Sequence, residues 1–94
     1  MRTYAIAADM PGETEEAASR RTFLADRIRT FFPTCCQPFG ALWIVKSDRE
    51  LGEIRDNLAP YLTEGDKLVV LLTDDACAWR GLAPDAALWL QEQL

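Results

Sequence analysis

The chain has no histidine, which removes the usual general base, the Ser-His and Cys-His nucleophile pairs and the commonest transition-metal ligand. Any chemistry must therefore run on carboxylates, hydroxyls, thiols or a hard metal ion held by oxygen. Among the carboxylates Asp9 is set apart by its position: in RTYAIAADMPGE it ends an almost uninterrupted apolar run just before Met10-Pro11-Gly12. Such an acid is either a working group or a short polar side chain that ends a strand and caps the next turn or helix. Asp74 and Asp75 follow a second apolar run and read as solvated strand termination. Arg20, Arg21, Arg27 and Arg29 make residues 20–29 the most basic stretch and the candidate phosphate contact, with Arg20, Arg21 and Arg27 foremost. The interleaved Glu13, Glu15, Glu16 and Asp26 favour a mixed, ion-paired surface instead. Trp43, Trp79 and Trp89 are large enough to stack on bases, but the RNA-binding signature of aromatics with flanking basic residues in the third strand is missing, so packing in a core or a dimer interface is expected. Cys35, Cys36 and Cys77 are an odd number without CxxC spacing, and they are expected as reduced thiols rather than a disulfide framework.

The elements that would position these residues are legible from periodicity. Residues 3–8 alternate as a strand, Tyr4, Ile6 and Ala8 facing one way and Thr3, Ala5 and Ala7 the other, with the small residues expected on the helix-packed side. From Glu13 the spacing becomes helical, with Ala17, Leu24, Ile28, Phe31 and Phe32 on one face and Pro33 as the stop. Residues 34–37 are β-like, Pro38-Phe39-Gly40 is a turn and residues 41–46 are a second strand, together a hairpin. Ser47 is the expected N-cap of the next helix and Glu50 its capping-box partner; Leu51, Ile54, Leu58, Tyr61 and Leu62 form the apolar stripe, and Gly65 ends it. Leu68-Val69-Val70-Leu71-Leu72 predicts a strand buried on both faces or in the middle of a sheet. Pro84 starts a last helix with Ala87, Leu90 and Leu94 inward.

The order strand, helix, strand, strand, helix, strand plus a C-terminal helix is the α+β, ferredoxin-like βαββαβ plan: a four-stranded antiparallel sheet with two helices on one face. Ninety-four residues form one domain, 1–94, with one core. The open face of its sheet needs cover, from a homodimer or a docked C-terminal segment, with Tyr4, Ile6, Trp43 and Trp79 as candidate interface residues. A formal charge of −5 disfavours general nucleic-acid binding. There is neither a signal-peptide pattern nor a membrane-spanning run, so the expected location is cytoplasmic, without membrane contact.

The Tyr-x-Ile-x-x-Asp first strand, the segment LWIVKSDRELGEIRDNLAPYLTEGDKLVVLLT and a tryptophan after the last strand resemble the SinR-like group of small bacterial proteins. That group in turn resembles the small ferredoxin-fold subunit of the CRISPR spacer-integration complex, described both as a metal-dependent endonuclease and as a non-catalytic adaptor. The resemblance implies a homodimer in which Asp9 of both subunits would share magnesium or manganese and activate a water against a phosphodiester. After Asp9 the chain departs from the family pattern, running Met10-Pro11-Gly12-Glu13 in place of an isoleucine and basic or polar residues. With the negative charge and the missing histidine, this makes a non-catalytic adaptor or regulatory protein the first expectation, with no cofactor required. An endonuclease acting on RNA or DNA through Asp9 is the second. A toxin or mobile-element protein that binds a protein partner is the third.

Overall fold

A computed structural model describes residues 1–94. The alternation in the first strand sets the layering. Strand β1 (Arg2–Asp9) buries Tyr4, Ile6 and Ala8 beneath two helices, α1 (Glu15–Phe31) and α2 (Leu51–Leu58), while Ala7 on the other face is exposed. This reverses the expected facing. The helices must cover the larger apolar area, since removing Tyr4 and Ile6 from water is worth more than close approach over alanines.

Strand β2 (Cys35–Phe39) and strand β3 (Leu42–Ser47) form the hairpin around Gly40 and Ala41, and β4 (Lys67–Thr73) completes an antiparallel sheet in the order β2-β3-β1-β4. The registers Ile6 to Trp43, Tyr4 to Val45 and Ile6 to Val70 put all these side chains on the helix face. There they join Leu24, Ala25, Ile28 and Phe32 of α1 and Ile54 and Leu58 of α2 in one core. The result is the ferredoxin-like arrangement, with a further helix α3 (Pro84–Gln93).

Two local expectations shift. Ser47 is still paired with Arg2 in the ladder, so it ends β3 and its Oγ accepts from the Arg49 N–H at 3.0 Å. The capping box moves one turn on, with Glu50 as N-cap and Glu53 reaching back to the Glu50 N–H. Strand β4 is not interior but an edge, paired only with β1. Leu68 and Val70 reach the core, whereas Val69, Leu71 and Leu72 are 51%, 57% and 51% exposed.

The C-terminal segment supplies part of the cover the open face requires. Helix α3 packs on β2 and buries Ala86 and Leu90. Leu90 lines a cavity of about 290 Å³ with Leu42 and Ile44 of the open face and with Phe39, Trp79 and Leu82. On the β1–β4 half of that face Thr3 is buried, whereas Ala7, Val69 and Leu71 stay exposed. No helix is long and apolar enough to cross a membrane.

Candidate functional site

Asp9 closes β1 opposite Lys67, the first residue of β4, on the open face. Beyond it the chain is pinned tightly. Met10 is buried, and Gly12 has φ +121°, where a Cβ would lie 3.1 Å from the Ala17 Cβ, so only glycine fits this bend without strain. Thr14 is the N-cap of α1, its Oγ1 accepting from the Ala17 N–H at 3.1 Å. Arg21 reaches back from α1 and donates through Nη1 to the carbonyls of Met10 at 2.8 Å and Gly12 at 2.9 Å. Asp9 is therefore not a helix cap, and its exposed carboxylate takes part in none of the ion pairs of the chain. It stands between two shallow hollows: one of about 210 Å³ toward Lys67 and Val69, the other of about 170 Å³ toward Arg21, Gly40 and Trp43.

The chemistry open to this carboxylate follows from its neighbours. Nowhere in the chain do three His, Cys, Asp or Glu side chains gather as a metal site. Asp74 and Asp75 follow Thr73, which pairs with Thr3 at the far end of β1, six ladder positions from Asp9. At about 3.3 Å per residue that is roughly 20 Å, too far to share an ion. One carboxylate per chain offers a hard cation a single monodentate or bidentate ligand, well short of a coordination shell.

The candidate phosphate contacts are committed elsewhere. Arg20 pairs with Asp66 and donates to Thr63 Oγ1 at 2.9 Å, tying α1 to the loop before β4. Asp66 also accepts from the Thr63 backbone N–H, and that bond, ahead of the Arg20 contact, holds its carboxyl below the usual range. Arg21 clamps the β1–α1 loop, and the Arg27 guanidinium lies 5.3 Å from the Phe31 ring centroid and 5.9 Å from that of Tyr61. The three point to three different partners rather than forming one cradle.

The candidate interface residues divide. Tyr4, Ile6 and Trp43 are 0%, 0% and 3% exposed within the single chain and belong to its core, where Tyr4 Oη donates to the Arg49 carbonyl. They are not free to meet a second copy. Trp79 alone of the four is exposed, at the mouth of the cavity under the C-terminal segment. The cysteines are all free; burial pushes the Cys35 and Cys36 thiols up, which keeps them protonated and poor nucleophiles.

The surface that sequence periodicity did not single out is the outer edge of β4, with Val69, Leu71 and Leu72 exposed. The signal was present as a five-residue apolar run, but such a run reads identically whether the chain itself or another molecule covers it. Comparisons of the chain with family models, curated proteins and solved structures returned no match.

Proposed function

We propose that this protein is a small homodimeric interaction protein, an adaptor or regulator of the kind the SinR-like resemblance implies, and that it performs no chemistry of its own. The observation that carries this reading is the isolation of Asp9: an exposed carboxylate with no second acid, no histidine and no free arginine beside it. A metal-dependent phosphodiesterase needs a metal held by several oxygen ligands and positive charge where the phosphate develops its own. Arg21, the nearest guanidinium, is held by two backbone carbonyls instead. What the fold offers in place of a reaction centre is surface, chiefly the unpaired edge of β4 and the exposed Ala7, Val69 and Leu71 of the sheet face.

The test is incubation of purified protein with labelled RNA and DNA in magnesium or manganese, beside Asp9→Asn. Neither protein is expected to cleave either substrate. Cleavage by the parent that disappears in Asp9→Asn would overturn the adaptor reading in favour of a metal-dependent endonuclease.

A further inference from the structure

The two edges of the sheet are treated in opposite ways. Strand β2 carries Pro38, shifts register between Cys36 and Phe39, and lies against α3. A proline, an irregularity and a covering helix are the devices that keep an edge from pairing. Strand β4 has neither the proline nor the irregularity, although α2 packs on it as α3 does on β2: seven residues, KLVVLLT, without proline or glycine, in regular register with β1 and with its outer row of N–H and C=O groups unpaired. Its one charge is Lys67, at the end. Three large aliphatic side chains on this strand are more than half exposed.

We infer that β4 pairs with β4 of a second copy of this chain, joining two sheets into one continuous eight-stranded sheet. The inference rests on the homodimeric reading above and gives it a surface. Antiparallel pairing of identical strands requires a two-fold axis normal to the sheet, and a residue on one face then meets a residue on the same face of the other copy. With the axis at Val70, Val69 meets Leu71 on the open face and Leu68 meets Leu72 on the helix face, so each exposed aliphatic acquires an aliphatic partner.

In the same register Lys67 of one copy comes opposite Thr73 of the other, so no two like charges meet across the pair. Asp75, at φ +68°, has left the strand, and its carboxylate is turned toward Lys46 of β3 at 3.9 Å, away from the pairing edge.

This geometry also bears on Asp9. Each Asp9 sits one strand in from β4 beside Lys67, three positions from the axis. The two carboxylate-bearing positions are then separated by about 20 Å along the strands and about 14 Å across three strand spacings, roughly 24 Å in all. Pairing through β4 therefore keeps the two aspartates too far apart to share one metal ion.

The experiment is sedimentation of the parent, Leu71→Lys and Leu88→Lys at matched concentrations, with circular dichroism to compare folding. Leu71 and Leu88 are similarly exposed, on β4 and α3, so neither substitution disturbs the core. The parent is expected as a dimer of twice 10.6 kDa, Leu71→Lys as a folded monomer, because it sets a lysine beside the axis in both copies, and Leu88→Lys as a dimer. A monomeric parent, or a dimer that Leu71→Lys leaves intact, would overturn the pairing. Neither result touches the absence of catalysis, which the cleavage assay reads separately.

Discussion

Replacing Tyr4 distinguishes the two facings of β1 directly. The ring is fully buried beneath α1 and α2 in this single chain, and its hydroxyl donates to the Arg49 carbonyl. Truncation to alanine removes a large aromatic side chain from a packed core, which costs about 3–5 kcal/mol. A domain of this length has a total stability of roughly 5–14 kcal/mol, so Tyr4→Ala should lose about a fifth of it or more, or fail to fold. Tyr4→Phe is the milder probe. It keeps the ring and loses one hydrogen bond, and the Arg49 carbonyl retains a bond from Arg2 Nη2 at 3.2 Å, so no acceptor is stranded and the cost stays near 0.5–1.5 kcal/mol. At about 4–8 °C per kcal/mol for a domain of this size, that lowers the Tm by about 2–12 °C. Urea denaturation of parent and Tyr4→Phe, each at two protein concentrations, is the assay, because a core effect leaves the midpoint difference independent of concentration. A Tyr4→Phe midpoint equal to the parent's, or a difference that grows on dilution, would return Tyr4 to an interface and refute the assigned facing.

Two further outcomes follow from the loops around the sheet. Gly12→Ala places a Cβ at φ +121° and 3.1 Å from Ala17 Cβ, and should cost about 1–3 kcal/mol with the unfolding transition still cooperative; an unchanged urea midpoint would contradict the pinned β1–α1 loop. Asp66 has its carboxyl depressed, first by the Thr63 N–H and then by Arg20. A depressed folded pKa gives stability that is present above the ordinary carboxylate value of about 3.9 and is lost as pH falls through the lower folded value. Asp66→Asn should therefore be less stable than the parent at pH 7 and converge on it toward pH 2, in denaturant titrations across that range; parallel curves at all pH values would show that the carboxylate is not held.

Much of the architecture could be read from local rules, and the misses share one cause. The order of elements followed from periodicity and punctuation, with Pro33 after α1 and Pro84 at the start of α3, while the hairpin turn expected at Pro38-Phe39-Gly40 falls at Gly40-Ala41 because Pro38 and Phe39 still belong to β2. These are effects of a residue on its own backbone. The facing of β1, by contrast, depends on which row of side chains two distant helices cover, and both rows are apolar. The position of the capping box depended on whether Ser47 was still pairing with Arg2, forty-five residues earlier in the chain. The arginines of α1 looked like phosphate contacts because their partners are invisible to composition: two are backbone carbonyls in the preceding loop, one is an acid in the loop before β4, and the others are aromatic faces.

Asp9 and β4 illustrate the two sides of that limit. Asp9 attracted a chemical reading because a lone acid after an apolar run is easy to see, yet a reaction centre is made by what converges on it, and here the converging groups are Lys67, alanines and an arginine already bonded to the main chain. The apolar run of β4 suggested an interior strand, which is the correct chemistry in the wrong place. Leu68 and Val70 enter the core, whereas the chain leaves Val69, Leu71 and Leu72 more than half exposed. A sequence states how much apolar surface a strand must bury but not in which molecule. Given that β2, at the opposite edge, is broken by Pro38 and by a register shift, the regular, proline-free run of β4 is the physical ground on which the proposed pairing assigns the rest of that burial to a second copy.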